Sequence, residues 1–326
     1  MNKTTKHCAH CGATKPIAKL MPWPIHCCYR MEEERICLDC FNDLFFACQD
    51  CGEIIDVDAV YFLNTTNLCY SCWSAHGRWE PEQICFPGEA KKLGSTRAFG
   101  VELETSDCSG YETLKDKTCF GAKQDGSIDG MEFVSPILKG DAGLAEVYKF
   151  CQFAKKLKFK VNKDCGYHIH IDMRDTSEIT RQRIAYAYSL AFDLWGSLVN
   201  RDRLNNNFCE TPHYDSTFVR ACRDFDDTFV DASRYKFINW RAYRDHGTLE
   251  IRGHHGTVKT LDVVNWVKAH LRFVDFVKDK SFDELNDLFG KGLPRARRNF
   301  RKIIGQQLSR FYSKKLRAAK KLRIFA

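Results

Sequence analysis

The stretch Arg97-Ala98-Phe99-Gly100-Val101-Glu102-Leu103-Glu104-Thr105 alternates apolar and acidic side chains. In an extended strand successive side chains take opposite faces, so Phe99, Val101 and Leu103 share one face and Glu102 and Glu104 the other. By itself such alternation marks only a half-solvated antiparallel strand. Three more short segments repeat it, carrying Glu132, then His168, His170 and Asp172, then Glu250 and Arg252, each opposite its apolar residues. If these strands share one sheet, that face is a bed of metal ligands.

Between the strands lie helical patterns. Asp141 is placed to cap a helix reaching about Lys158, with Leu144, Val147, Phe150, Cys151 and Ala154 on one stripe. A second helix is expected from Ser177 to Val199, and a third from a Thr257 cap to about Lys278. Arg234 to Asn239 reads as a strand; the polar run from Asn200 to Asp231 allows a short helix at Ser216 to Arg223. Strands separated by helices without regular βαβ alternation argue for an α+β fold, an antiparallel sheet with helices on one face.

The chain has 326 residues, 44% hydrophobic and 13% aromatic, which is enough apolar content for a packed core and argues against disorder. Its most apolar long run, Ile184 to Val199, is too short to span a bilayer and carries Asp193. The first residues lack the apolar core of a secretory signal, so a cytoplasmic location is expected. The net charge of +8 is misleading as a whole-chain value: Lys291 to Ala326 holds 13 Lys and Arg and no Asp or Glu, and removing them leaves −5. Basicity therefore belongs to the last segment.

Ten of the 17 cysteines precede Trp73, eight of them in C-x2-C pairs: Cys8 with Cys11, Cys37 with Cys40, Cys48 with Cys51, and Cys69 with Cys72. A two-residue gap lets one turn aim both thiolates at one tetrahedral ion, and two pairs complete a closed structural zinc shell. The spacings favour sequential sites, Cys8, Cys11, Cys37 and Cys40 around one Zn2+ and Cys48, Cys51, Cys69 and Cys72 around the next. Interleaved pairing is the alternative, and His26, Cys27 or Cys28 could substitute in the first site. The module is LIM-like or treble-clef-like in pattern, with a binding role for protein or nucleic acid. The expected organisation is a Cys-rich domain over 1–79, a linker over 80–96, a catalytic body over 97–290 and a basic helical tail over 291–326.

Glu102, Glu104, Asp125, Glu132 and Glu250, with His168 and His170, are too many acids to gather without counter-charge. Oxygen-rich shells select Mg2+ or Mn2+ over a catalytic zinc, and magnesium sites commonly leave positions for nucleotide phosphates. Arg252 beside Glu250 supplies a phosphate clamp. The residues alone thus reach a metal-dependent phosphoryl-transfer site.

Four motifs in order, G-V-E-L-E at Gly100–Glu104, D-G-S-I-D-G-M-E-F-V-S-P at Asp125–Pro136, G-Y-H-I-H-I at Gly166–Ile171, and T-L-E-I-R at Thr248–Arg252 followed by Gly256-Thr257, resemble the amidoligase family. That family is similar to glutamine synthetase and glutamate-cysteine ligase. The resemblance, covering about Arg97 to Lys278, implies a glutamine synthetase-like sheet with ATP at one end of a funnel and the acceptor at the other. It implies Glu102, Glu104, Asp125, Glu132 and Glu250 as metal ligands, His168 or His170 as a metal or phosphate contact, and Arg252 steadying the transferred phosphoryl group. The implied reaction is ATP-dependent joining of a carboxylate to an amine, the partners being small molecules, a peptide or a protein, through an acyl phosphate. Tyr235, Asn239, Arg241 and Arg244 stand as possible substrate contacts.

The basic segment has a helical apolar stripe and a cationic face suited to an acidic partner. Two other readings compete with the ligase: a zinc-finger and basic-tail binding protein with an inactive ligase-like body, and a metallohydrolase built on the H-x-H pair. The excess of carboxylates disfavours the second.

Overall fold

A computed structural model describes residues 5–22, 35–56, 61–63, 66–75, 79–124, 128–199, 203, 209 and 234–324. The chain divides into two compact units, Met1–Arg78 and Trp79–Ala326. His26, Cys27, Cys28, Asp125 and the helix expected at Ser216–Arg223 lie outside the described residues.

The first unit uses one plan twice. Strands β1 (Thr5–His7) and β2 (Thr14–Pro16) form a hairpin, β3 (Leu20–Pro22) pairs with β4 (Arg35–Cys37), and the helix Leu38–Leu44 follows. Strands β5 (Phe45–Ala47) and β6 (Ile54–Asp56), β7 (Tyr61–Leu63) and β8 (Thr66–Leu68), then the helix Tyr70–Ala75 repeat the order. In each half the first C-x2-C pair occupies the hairpin turn and ends on a glycine, Gly12 at φ 71° and Gly52 at φ 77°. Only glycine takes that left-handed backbone without strain. In the small cores, around Ile36 and Phe45 in one half and Ile55 and Leu68 in the other, the cysteines themselves make up half of the buried residues.

Among the described residues, the second unit has six strands: β9 (Phe99–Thr105), β10 (Gly121–Gln124), β11 (Met131–Val134), β12 (Gly166–Asp172), β13 (Ile238–Asn239) and β14 (Thr248–His255). They pair antiparallel throughout in the order β10-β11-β9-β12-β14-β13, as the α+β reading expects. Phe99, Val101, Leu103, Phe133, Ile169, Ile171, Leu249 and Ile251 are buried on one face. The helices Gly140–Lys156 and Thr260–Val277 cover that face: the Phe133 ring lies 5.2 Å from Phe150, and the Tyr167 hydroxyl donates to the Val263 carbonyl at 3.1 Å.

Element boundaries depart from the sequence reading where local contacts override pattern. Asp141 lies inside the first turn, and its carboxylate accepts from the Lys92 and Leu93 amides instead of capping the helix. The helix expected from Ser177 begins there, capped by the Ser177 side chain, but it is two, Glu178–Leu190 and Phe192–Gly196, with a turn at Ala191 that leads Leu194 and Trp195 into the core. Thr257 caps no helix, because the helix starts only at Thr260; its hydroxyl accepts from the Lys259 amide. Of the Arg234–Asn239 segment, only Ile238–Asn239 forms a strand, with an isolated bridge at Lys236.

Residues 80–96 are irregular and mostly exposed, but Leu93 is fully buried in the body and Ser95 is buried too. The basic segment is packed: helices Leu293–Ile304 and Gln306–Ile324 contribute Phe300, Ile304, Leu308 and Tyr312 to the core. Arg272 ties both down, its guanidinium donating to the Leu93 carbonyl at 3.2 Å and the Ile304 carbonyl at 2.9 Å.

Candidate active site

Strand register assembles the face opposite the helices. His168 stands opposite Glu102, Glu132 opposite Glu104, and Glu250 between His170 and Asn239. Neighbouring strands lie about 4.8 Å apart, so these side chains must meet. The pairing of β12 with β14 slips between Tyr167 and Ile169, leaving Arg252 and Gly253 opposite one residue. This bulge reverses the side-chain alternation. Glu250 and Arg252 stay on the polar face, while His254, two residues on, turns into the core beside Tyr167 and Trp266.

Glu102 is the hub. Its Oε1 lies 3.4 Å from His170 Nε2 and its Oε2 3.2 Å from His168 Nδ1. Two groups have ligand atoms within 4.8 Å of one another, Glu102–His170–Glu250 and Glu102–Glu132–His168, and Glu102 belongs to both. The Thr248 hydroxyl, 2.9 Å from His170 Nδ1, leaves Nε2 of that ring facing Glu102. An arginine can only donate, and the Arg203 guanidinium meets His168 Nε2 at 3.2 Å. The proton of a neutral His168 therefore sits on Nδ1, toward Glu102 and Glu250, which favours His170 over His168 as the ligand. Glu104 belongs to neither triad: it accepts from the Gly166 amide and lies 3.7 Å from His168 Nε2.

Glu104, Glu132, His168 and Glu250 are all at least nine-tenths buried, which makes their charges consequential. Burial works to raise the Glu102 carboxyl, but hydrogen bonds and charge from His168 and His170 hold it well below the ordinary range. Burial likewise opposes ionisation of Glu250, and Arg252 and the two histidines override it. Glu132 goes the other way: burial, then the charge on Glu102, push it well above a normal carboxyl despite Lys123 at 3.0 Å. Arg252 stays firmly cationic, because Glu250 at 2.5 Å outweighs its burial. Four carboxyl groups thus share this face with Arg203, Arg252, Lys123 and the two imidazoles, and Glu132 is the one whose ionisation burial and Glu102 oppose. A divalent cation would relieve that opposition, and the oxygen-rich donor set fits magnesium or manganese.

Residues 106–274 match the family model described as "Putative amidoligase enzyme". The chain belongs to this amidoligase family. The matched stretch carries Glu132, His168, His170, Glu250 and Arg252, and begins one residue after β9, whose Glu102 and Glu104 lie on the same acidic face. No curated protein matches the chain. Two site residues escaped the sequence reading. Arg203 stands alone in a polar run with no motif around it, and Lys123 precedes the motif whose Glu132 it contacts. Asn239 was visible only as a possible substrate contact, whereas its amide donates to Glu250 at 2.6 Å.

The amino-terminal cysteines group sequentially, Cys8–Cys11–Cys37–Cys40 and Cys48–Cys51–Cys69–Cys72. Sulfurs Cys11–Cys37 and Cys51–Cys69 are 3.9 and 3.8 Å apart. A tetrahedron with Zn–S of about 2.3 Å has edges of about 3.8 Å, so the geometry fits zinc. Burial alone would raise the Cys8 and Cys48 thiols, but backbone amides bring both down to about 6. Burial and thiol hydrogen bonds push Cys40 and Cys72 upward, so four thiolates need a cation to coexist. Among the described residues no helix is long and apolar enough to cross a membrane.

Proposed function

We propose that the second unit is an ATP- and magnesium-dependent ligase that joins a carboxylate to an amine through an acyl phosphate. The observation that carries this reading is the convergence of Glu102, Glu132, His170 and Glu250 from four strands, beside a cavity of about 380 Å3 lined by Arg234, Arg241 and Arg252. A divalent cation bound there supplies charge neutralisation for phosphate oxygens. The chain's own residues do the rest. Arg252, oriented by Glu250, presents a fixed cation to the transferred phosphoryl group, and Arg234 and Arg241 add charge for the remaining phosphates. Thr248 and Arg203 hold the two imidazoles, so the acidic face is organised before substrate arrives.

The carboxylate substrate supplies the nucleophile in the first step and the amine in the second, so no protein nucleophile is required. The zinc-fitting unit has closed all-sulfur sites, which are structural, and its proposed part is to position a protein or nucleic-acid partner. The test is calorimetry of Mg-ATP with the full chain, followed by ADP release with pools of carboxylates and amines. Micromolar-range Mg-ATP binding and carboxylate-dependent ADP release are expected. Tight RNA or duplex binding with no nucleotide binding would replace the ligase by a binding protein.

A further inference from the structure

Four glycines occur in the described strands of the sheet. At three of them a side chain has no room: a Cβ would come within 2.6 Å of the Trp79 carbonyl at Gly121, 2.3 Å of the Arg203 guanidinium at Gly166, and 1.8 Å of the Phe237 ring at Gly253. Gly100 differs. Its φ is not left-handed, and a Cβ would meet only His170 Cβ and Ser135 Oγ, both at an ordinary 3.7 Å. Glycine inside a strand loses backbone entropy and packs nothing, at a cost of about 0.5–1 kcal/mol relative to alanine. Neither backbone nor packing accounts for it, which leaves close approach of a ligand.

Gly100 faces the acidic side, directly opposite His170 and next but one to Glu102. It lines a cavity of about 410 Å3 together with Val134, Pro136, Ile137, Glu102, Lys123 and His170. Ile137 is 61% exposed. Asp172 and Arg174, which also line it, are joined by two hydrogen bonds of 2.8 and 3.0 Å. The arginines suited to a triphosphate line the neighbouring cavity instead.

We infer that the Gly100 cavity receives the aliphatic body of the carboxylate substrate, with its carboxylate toward His170 and Lys123, and that Gly100 sets the width of chain admitted. This rests on the ligase reading. Its test uses the full chain with Mg2+ alone and three probes, acetate, hexanoate and adenosine, followed by ligand-observed NMR, with Mg-ATP titrated separately. Each added methylene in a fitted apolar pocket is worth about tenfold or more, so hexanoate should bind at least about tenfold tighter than acetate. Gly100→Val should abolish that preference and leave Mg-ATP affinity unchanged. Ile137→Asp, at an exposed position, should do the same and decides the matter if Gly100→Val does not fold. Equal binding of acetate and hexanoate, an undiminished preference in both variants, or loss of adenosine and Mg-ATP binding instead would overturn the assignment. Failure of the ligase reading would show separately, as wild-type chain that does not bind Mg-ATP.

Discussion

His270 offers a quantitative test of how the core is held. Its ring is fully buried, stacked 3.8 Å from Trp195 and edge-on to Trp266 at 4.3 Å, with Nδ1 2.8 Å from the Tyr188 hydroxyl. Burial holds its pKa well below 6.5. The folded state thus keeps the ring neutral where the unfolded chain, titrating near 6.5, takes up a proton. Stability from this group is complete above about pH 6.5 and falls as pH drops, by about 1.36 kcal/mol per unit. Between pH 7.5 and 5.0 the loss reaches about 2 kcal/mol from His270 alone. The variant His270→Phe keeps a ring in the stack and leaves the Tyr188 hydroxyl unpaired, at a cost of about 1–3 kcal/mol that does not depend on pH over this range. Urea unfolding followed by the emission of buried Trp195, Trp240 and Trp266, at both pH values, isolates the proton. Wild type should lose about 2 kcal/mol more than the variant on acidification. Titrating groups remote from His270 change both proteins alike and cancel in the difference. Equal losses, within about 0.5 kcal/mol, would show that the core hydrates or rearranges to accept a charged imidazole and would refute the reasoning.

Three further outcomes are expected. Wild-type chain should carry about two zinc ions, and Cys48→Ser should lower elemental analysis to about one, since the two sulfur clusters share no ligand. Glu102→Gln should reduce magnesium-dependent ADP release by at least about 100-fold with the circular dichroism unchanged, because it removes the carboxylate common to both triads, where even supporting residues are worth about 10–100-fold. Phe300→Ala should lower urea stability of the second unit by about 3–5 kcal/mol, as its ring packs 4.7 Å from Trp195, whereas a free tail would show no effect.

The acidic face was legible because period-two alternation states which side chains share a face, and Glu102, Glu132, His170 and Glu250 fall on it in four separate strands. The cysteine pairing was legible from spacing, since a hairpin turn brings two thiols together only at short range. What alternation could not state was the bulge in β14, which alone sends His254 to the core, or the approach of Arg203 across the fold. The choice between His168 and His170 depended on which ring nitrogen meets an arginine, a tertiary fact. Residues 80–96 and the docking of the basic helices were only partly legible for a related reason. Proline, glycine and positive charge describe what faces water, while Leu93, Phe300 and Tyr312 decide what is buried.

The burial of Phe300, Ile304, Leu308 and Tyr312 against the helix Thr260–Val277 orders events during synthesis. The cysteine-bearing unit is complete after its first 78 residues and can close while the ribosome is still working, given zinc. The sheet cannot seal its apolar side until the helix Thr260–Val277 has emerged, and that helix in turn stays bare until the basic segment follows, so nascent amidoligase chains expose apolar surface through most of elongation.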